Sequence, residues 1–324
     1  MDPSIEHLLG EIVNQIKEQI LTSGASPEYA YLLIAALPAG WSQESPPEDS
    51  PFRWALLPSL CFQAAGGGNM QATNLCAAWF LYYLAAHIMD SIEDQDEAEP
   101  WWAELGSAAA LNVATGLFFC ASRSLFQLIT QNAHVPAANY TVDLVHLRMM
   151  QMCSGQHSDL TTQSPSLQQY WEMVEGKSGR FFALACEAGA CLASANMDLR
   201  TCFQQMGSHL GLLLQVLDDL EEYRDFHPDN NRLKWEKIRR SLPYIYTQDV
   251  LPEPLRIKLD EAILSAPLDK SAANQAIDLI EQSGSALYLK TELERHRCQA
   301  LSYLQQIPLE TPAKKYLGTW FKAL

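Results

Sequence analysis

Apolar positions recur along this chain with helical spacing, and one stretch carries the strongest pattern. Residues 77–96, AAWFLYYLAAHIMDSIEDQD, stay apolar for most of their length and end in carboxylates. A run of this character predicts a buried helix. Patterns typical of strands are almost absent, and no Asn-Gly or Asp-Gly hairpin turn occurs. The sequence therefore predicts an all-α fold.

Further helices are predicted on both sides of this stretch, because prolines and polar residues separate the periodic segments. The predicted helices cover residues 5–21, 29–37, 54–65, 69–93, 103–130, 140–154, 166–192, 199–223, 235–248, 255–265, 272–283, 286–306 and 311–324. The clearest loop is 38–51, and a Gly-Lys-Ser-Gly break interrupts the segment 166–192. We expect one domain over residues 1–324, a single large helical bundle around a central apolar cavity.

Two carboxylates lie at the end of the apolar run. Asp90 and Asp94 are spaced i,i+4, so they share one helix face. Acids that face inward at the end of a buried helix need a neutralising partner. Magnesium suits this role, since it binds through one or two carboxylates plus substrate phosphates. The pattern predicts a metal–diphosphate site at the mouth of the cavity; the alternative is a helix that surfaces at Asp90 with solvated acids.

A second apolar segment ends in the same way. In residues 211–222, Asp218 and Glu222 are spaced i,i+4, Asp219 lies beside them, and Gln215 lies one turn earlier. If the two acidic ends face each other, they frame metal ions that hold a diphosphate from both sides. Such ions would neutralise the leaving diphosphate, while the apolar wall excludes water.

Composition and charge narrow the function. The chain has 324 residues, 48% hydrophobic and 19% charged, which indicates a globular protein. Because the net charge is -16, we do not expect nucleic acid as a partner. An anionic substrate would need metal ions to reverse the negative field around its binding site. Eight scattered cysteines without a CxxC indicate reduced thiols. With no signal peptide and no clear transmembrane segment, we expect a cytoplasmic protein.

The motifs together resemble those of the polyprenyl synthetase (trans-isoprenyl diphosphate synthase) family of class I isoprenoid synthases. Residues 90–94, DSIED, match the first and last acids of its Asp-Asp-x-x-Asp motif, and residues 214–222, LQVLDDLEE, nearly complete its second motif. Residues 155–160 give its Gly-Gln-x-x-Asp-Leu, residues 176–179 its Gly-Lys-Thr-Gly-like break, and residues 241–244 echo its Thr-Leu-Pro. The resemblance spans roughly residues 50–245.

This resemblance implies an isoprenoid synthase-like fold, Mg²⁺ as cofactor, an allylic prenyl diphosphate as substrate, and a homodimer. It implies metal ligands at Asp90, Asp94, Asp218, Asp219 and Glu222. It implies catalytic roles for Asp90, Asp94, Asp218 and Lys177, with Lys177 binding the diphosphate. It implies substrate-binding roles for Lys177, Gln215, Gln156, Arg180, Arg239, Tyr83 and Ala86.

Several of these residues keep an alternative. Gln215 and Gln156 either hold substrate and ligands or are satisfied buried amides. Arg180 either senses diphosphate or pairs with Glu175 or Glu187. Arg239 and Arg240 stand where the family has a lysine, so either they close over the diphosphate or they form a solvated basic face.

The chain departs from the family where a second diphosphate would bind. The family's basic Gly-Lys-x-x-Arg-Pro segment corresponds to residues 53–58, RWALLP, with Arg53 as the nearby cation. Its arginine pair after the first motif corresponds to residues 97–102, EAEPWW. Condensation with isopentenyl diphosphate needs two bound diphosphates, whereas cyclisation needs one.

We therefore expect a terpene synthase-like enzyme on a polyprenyl synthetase scaffold, which ionises one allylic diphosphate and quenches or cyclises the carbocation. The alternative is a chain-elongating prenyltransferase whose basic groups come from elsewhere. A non-catalytic partner subunit ranks third, because buried unpaired acids would cost stability.

Cavity depth is predicted from the residues before Asp90. Ala85 and Ala86 are small, so Tyr82 or Tyr83 would form the floor one turn lower, with Trp79 beyond. This favours farnesyl or geranylgeranyl over geranyl substrates.

Overall fold

The computed structural model describes residues 3–38, 51–68, 72–95, 101–132, 135–162, 164–229 and 232–324. Within these ranges the regular structure is helical and no strand occurs, so the all-α prediction is confirmed. The helices are α1 Pro3–Leu21, α2 Pro27–Ala35, α3 Leu57–Ala64, α4 Thr73–Glu93, α5 Ser107–Gln131, α6 Pro136–Thr161, α7 Leu167–Val174, α8 Arg180–Leu192, α9 Met197–Arg224, α10 Arg232–Lys237, α11 Leu242–Val250, α12 Glu253–Ser265, α13 Lys270–Gln282, α14 Ser285–Gln306 and α15 Pro312–Ala323.

Local sequence signals set several helix starts. Ser26 caps α2 by accepting a hydrogen bond from the Tyr29 backbone N–H, and Pro27 occupies the first helical position. At α7, Ser166 and Gln169 form a reciprocal capping box. These caps satisfy backbone groups that have no partner inside the helix.

Some predicted helices differ from those observed. The predicted helix 54–65 is a 3₁₀ helix, Pro51–Leu56, followed by α3, and the predicted helix 235–248 is α10, a 3₁₀ turn Ile238–Arg240 and α11. Prolines at the second positions of α3 and α11 lack the N–H that would continue the preceding turn. Most of the predicted loop 38–51 lies outside the described residues.

Cα packing divides the chain into two compact units made of interleaved segments. The first unit comprises residues 1–147, 184–204 and 306–319; the second comprises 148–183, 205–305 and 320–324. The single domain over 1–324, the central cavity and the facing of the two acidic motifs stay predictions.

Helix α4 forms the core of the first unit. Phe80 stacks on Phe52 of the 3₁₀ helix with ring centroids 4.9 Å apart, and Tyr82 meets Phe118 of α5 edge to face at 4.6 Å. Gly189 of α8 lets the chain backbones approach, since a Cβ there would lie 2.2 Å from the Pro58 carbonyl oxygen. Fully burying a side chain of the size of Phe80 contributes about 1.5–3 kcal/mol.

Helices α4 and α5 are long and apolar enough to cross a membrane by length and composition alone. In their most apolar windows, 67% of α4 and 44% of α5 is buried inside the protein. Burial of α4 identifies it as a core helix of the first unit.

The second unit has its own apolar core. Trp235 of α10 is 1% exposed and meets Phe226 edge to face, with centroids 4.6 Å apart. Val216 and Leu220 of α9 and Leu242 of α11 belong to the same buried cluster. This core fixes α9 and α11, which carry the second acidic motif and the segment after it.

Candidate active site

The first acidic motif ends helix α4. The Asp94 backbone N–H donates to the Asp90 carbonyl oxygen at 2.8 Å, and Gln95 has a φ of 56°, which turns the chain away. Asp90 and Asp94 are half-buried, and Glu93 is exposed. Their carboxylates are therefore accessible to a cation. Asp96, the last acid of the stretch 77–96, lies outside the described residues.

A ladder of rings runs along α4 toward Asp90. Trp79 stacks on Tyr83 with centroids 6.2 Å apart and an interplanar angle of 21°, and Tyr83 stacks on His87 at 6.3 Å and 4°. Ala86 is half-buried between these turns. Tyr82 faces α5, with its hydroxyl 3.0 Å from Ser122 Oγ. Of the two tyrosines predicted to form the cavity floor, Tyr83 is the one that belongs to this ladder of rings.

The second acidic motif lies near the end of α9. Asp218 and Glu222 are exposed on successive turns. Although Asp218 is exposed as a residue, protein atoms close to its carboxyl group remove enough water there to raise its pKa to about 7. The carboxylates of Glu221 and Glu222 add to this shift. The exposed acids of this motif are thus a cluster of like charge that favours a cation.

Asp219 has a different environment from its neighbour. It is 7% exposed, and its Oδ2 accepts hydrogen bonds from the Tyr170 hydroxyl and, at 3.4 Å, from the Leu242 backbone N–H. Burial raises its pKa to about 7, although the Tyr170 hydrogen bond acts in the opposite direction. The carboxylate predicted as a supporting metal ligand is directed toward α7 and α11.

Lys177 lies in a π-helical turn, Glu175–Gly179, between α7 and α8. Two glycines make room for this turn: a Cβ on Gly155 would lie 2.6 Å from the Gly176 carbonyl oxygen, and one on Gly211 would lie 2.2 Å from the Ser178 carbonyl oxygen. Ser178 Oγ donates to Gln215 Oε1 at 3.0 Å. Gln215 therefore anchors the turn that presents Lys177.

Two cations meet at one carboxylate. Lys177 Nζ lies 3.4 Å from Asp159 Oδ2, and Arg240 Nη2 lies 2.5 Å from Asp159 Oδ1 and 2.8 Å from the Asp159 carbonyl oxygen. The candidates taken from the 155–160 motif included Gln156 but omitted Asp159, although the motif itself contains this aspartate. The result is a Lys–Asp–Arg cluster, defined here as Lys177, Asp159 and Arg240.

The remaining predicted site residues differ in their contacts and exposure. Arg239 Nη2 lies 3.8 Å from Asp260 Oδ1, so Arg240 is the arginine that joins Lys177. Arg180 is exposed, and Glu187 pairs with Arg200 at 3.2 Å. Both alternatives for Arg180 stay predictions. Gln156 is half-buried on α6.

The donor atoms of both motifs are suited to a hard divalent cation. They are carboxylate oxygens, with no thiolate or imidazole among the predicted ligands. Among the described residues, no three His, Cys, Asp or Glu side chains are grouped so as to enclose a metal ion. Mg²⁺ typically binds through one or two carboxylates together with substrate phosphates.

Comparison with known proteins gives a family match over most of the chain. The sequence model of the polyprenyl synthetases matches residues 57–279. The chain belongs to the polyprenyl synthetase family. It is therefore an enzyme that uses prenyl diphosphates, in isoprenoid biosynthesis.

The relatives within this family differ in activity. Tryptophan prenyltransferase ComQ of Bacillus subtilis (strain 168) is 24% identical over 272 residues, covering 82% of this chain and 86% of that protein. A (2E,6E)-farnesyl diphosphate synthase of Mycobacterium tuberculosis is 29% identical over 192 residues, 56% of this chain and 52% of that protein. A polyprenyl synthase of Caulobacter crescentus CB15, solved with calcium and isoprenyl diphosphate, shares the fold with a TM-score of 0.75 at 19% identity, covering 96% of this chain and 92% of that chain.

Arg53 is held by an aromatic side chain of α15. Arg53 Nε donates to the Tyr316 hydroxyl at 3.2 Å, and its guanidinium carbon lies 5.8 Å from the Tyr316 ring centroid. Arg53 is the sole cation of the segment 53–58. The segment 97–100 lies outside the described residues, and Trp102 beyond it is buried. Arg53, the cation expected nearest to a second diphosphate, is thus bound to Tyr316 of α15.

Proposed function

We propose that this chain is a Mg²⁺-dependent enzyme that ionises one allylic prenyl diphosphate and gives the prenyl group to a nucleophile that carries no diphosphate. The engagement of Arg53 by Tyr316 is the observation on which this proposal rests. A second diphosphate would require cations at the positions 53–58, and Arg53 is the sole cation in that segment. Farnesyl and geranylgeranyl diphosphate are the substrates we expect.

Each site residue has a role in this proposal. Asp90, Asp94, Asp218 and Glu222 would hold Mg²⁺, which when bound neutralises charge on the departing diphosphate. Lys177 and Arg240 bind the diphosphate as fixed charges, and Asp159 holds them at a common position.

The acceptor we favour is an aromatic ring, in particular tryptophan. The similarity to a tryptophan prenyltransferase over most of both chains supports this choice. The carbon–oxygen bond of the prenyl diphosphate breaks, a bond from the prenyl carbon to the indole forms, and the proton lost by the indole goes to the released diphosphate. Trp79 and Tyr83 offer ring faces to the intermediate cation. Without an acceptor, quenching or cyclisation of the cation would give terpene synthase chemistry.

Chain elongation is the second candidate. The relatives named farnesyl diphosphate synthase support it, although they match little more than half of this chain. It would require Arg53 to leave Tyr316 and other cations to complete the second site.

The test is incubation of the purified protein with geranyl, farnesyl and geranylgeranyl diphosphates and Mg²⁺. Parallel samples contain no acceptor, isopentenyl diphosphate, tryptophan, or a tryptophan-containing peptide, and products are read by mass. Prenylated tryptophan or peptide, or a terpene formed without isopentenyl diphosphate, supports the proposal. A longer diphosphate that requires isopentenyl diphosphate contradicts it. The Asp218→Asn variant should abolish any product, whereas the exposed His7→Gln variant should not.

We also propose a cytoplasmic homodimer. Leu111, Phe119 and Phe126 project from one side of α5 and are 48%, 70% and 64% exposed. A second copy of the chain that covers this face would bury these three side chains. We expect the Phe119→Glu variant to be a monomer, so light scattering should give half the wild-type mass in solution.

A further inference from the structure

We propose that Asp219 is a positioning residue, held by Tyr170, that sets the geometry of the diphosphate cations rather than binding a metal ion. This inference rests on the proposed function of the same site. Asp219 is 7% exposed and Tyr170 is 4% exposed, whereas the adjacent Asp218 is exposed. Successive residues on a helix point about 100° apart, so α9 directs one carboxylate outward and the other inward.

Helix α11 depends on this inward carboxylate at its start. Ser241 is the N-cap of α11, but its side chain makes no capping hydrogen bond. The Leu242 N–H is one of the first backbone groups without a partner inside the helix, and Asp219 Oδ2 accepts it at 3.4 Å. A carboxylate at a helix N-terminus also interacts favourably with the helix dipole. Asp219 therefore fixes the chain two residues after Arg240.

Tyr170 connects the same carboxylate to the lysine. It lies on α7, which continues directly into the π-helical turn of Lys177. The Tyr170 hydroxyl donates to Asp219, and the ring packs edge to face on Trp171 at 5.3 Å. One carboxylate thus joins three elements: α7 before Lys177, α9 with Asp218, and α11 after Arg240.

The two possible roles of Asp219 make opposite demands on its partners. A metal ligand needs a charged oxygen that is open to the ion, and removing the Tyr170 hydroxyl that orients it would raise the Mg²⁺ requirement. A positioning residue needs only an acceptor for Tyr170 and Leu242, which an asparagine also supplies. The Tyr170→Phe variant removes the hydroxyl alone, so it separates the two roles.

The experiment is calorimetric binding of inorganic pyrophosphate at saturating Mg²⁺, followed by Mg²⁺ titration at fixed pyrophosphate. Tyr170→Phe should weaken pyrophosphate binding roughly tenfold, the size typical of losing a supporting hydrogen bond, with the Mg²⁺ requirement unchanged. Asp219→Asn should retain most of the pyrophosphate affinity and the same Mg²⁺ requirement. The double variant should bind no more weakly than Tyr170→Phe alone, because the two changes affect one interaction.

Two reference variants complete the design. Asp218→Asn should raise the Mg²⁺ concentration required, as expected of a ligand. Tyr29→Phe removes a hydroxyl hydrogen bond of 2.6 Å to the Asn112 carbonyl oxygen on α5 and should bind like the wild type. Thermal unfolding of each variant shows whether it folds.

The outcomes that contradict the inference are distinct. If Asp219→Asn or Tyr170→Phe raises the Mg²⁺ requirement as Asp218→Asn does, Asp219 is a ligand and the inference is wrong. If Tyr170→Phe binds pyrophosphate like the wild type, the hydroxyl does not hold the site, and the inference is also wrong. If a folded wild type binds no pyrophosphate with Mg²⁺, the proposed function fails, and the inference fails with it. Should Asp219→Asn fail to fold, Tyr170→Phe alone decides.

Discussion

Asp218 and Asp219 are neighbours with the same side chain, but they serve different parts of the molecule. Asp218 is exposed beside Glu221 and Glu222, while Asp219 is buried against Tyr170 and Leu242. Arg239 and Arg240 are divided in the same way, since Arg239 lies near Asp260 and Arg240 binds Asp159. Helix face, rather than residue type, thus assigns the chemistry of each side chain.

A single substitution on α4 tests the predicted depth of the cavity. Ala86 is half-buried one turn before Asp90, and Tyr83 lies one turn below it. We expect Ala86→Phe to fill this space and to lower kcat/KM for geranylgeranyl relative to geranyl diphosphate by at least about tenfold. Competition assays with mixed substrates measure this ratio. Ala323→Phe, at the exposed last residue of α15, should leave the ratio unchanged; an unchanged ratio in Ala86→Phe would refute the assignment.

The sequence predicted those features that depend on helical period alone. The i,i+4 spacing placed Asp218 and Glu222 on one face, and the structure has both exposed on successive turns. The inward direction of Asp219 depends on Tyr170, which is 49 positions away in the chain. No local pattern carries that information, so the sequence could suggest a supporting ligand role for Asp219 but could not indicate its hydrogen bond with Tyr170.

At the scale of elements, the segment around Lys177 is a continuous helix with an enlarged turn. The Gly-Lys-Ser-Gly sequence correctly indicated an interruption, but the structure retains helical hydrogen bonding as a π-helical turn. Its shape depends on α6 and α9, whose glycines Gly155 and Gly211 contact its backbone. Such a turn could not be predicted locally because two distant helices define the space for it.

Helix α9 provides the test of this packing. Gly211→Ala places a methyl group 2.2 Å from the Ser178 carbonyl oxygen, so the Lys177 turn must shift. Alanine favours a helix by about 1 kcal/mol over glycine, and crowding of this kind typically costs about 1–3 kcal/mol. We expect a lower free energy of unfolding in urea and weaker binding of pyrophosphate.

The matched control for Gly211→Ala is Gly68→Ala. No atom lies within 4 Å of a Cβ placed on Gly68, so the same chemical change meets open space there. Its unfolding midpoint should equal that of the wild type. A Gly211→Ala protein that is more stable than the wild type would mean that the turn is not held by this contact.

At the scale of the whole molecule, the charge of -16 opposes an anionic substrate. The second unit answers this locally, because Lys177 and Arg240 meet at Asp159 near the second acidic motif. Net charge alone predicted that an anionic substrate would need metal ions to reverse the local field, and it could not locate these two side-chain cations. The position of Arg240 follows from the fold of α10 and α11, which the sequence predicted as one helix.

Stability against acid is also a property of the whole molecule, and two histidines of the second unit contribute to it. His209 Nδ1 of α9 lies 3.0 Å from His296 Nδ1 of α14, and the rings pack on Tyr303 and Trp171. Burial lowers the pKa of His296 to about 3, with the Arg295 charge adding to the effect, and burial lowers the pKa of His209 too. Both imidazoles are therefore neutral in the folded protein at neutral pH.

The sign of the pH effect follows from the unfolded chain. An unfolded histidine binds a proton below about pH 6.5, while folded His296 does not until about pH 3, so unfolding is favoured as pH falls through this window. The carboxyl groups of Asp218 and Asp219 have the opposite effect. Because their pKa values are raised to about 7, they favour the folded state as the pH falls from about 7 toward their unfolded pKa values. The histidine effect is therefore isolated by comparing a variant with the wild type.

We expect His296→Gln to gain stability relative to the wild type by about 2 kcal/mol between pH 7 and pH 5, because glutamine has no proton to take up on unfolding. Urea unfolding at pH 7, 6 and 5 measures this difference, whatever the absolute stability of the variant at pH 7. His7→Gln, at an exposed position of α1, should follow the wild-type curve. If the His296→Gln and wild-type curves ran parallel, folded His296 would take up its proton at the same pH as an unfolded histidine, which would contradict a pKa lowered by burial.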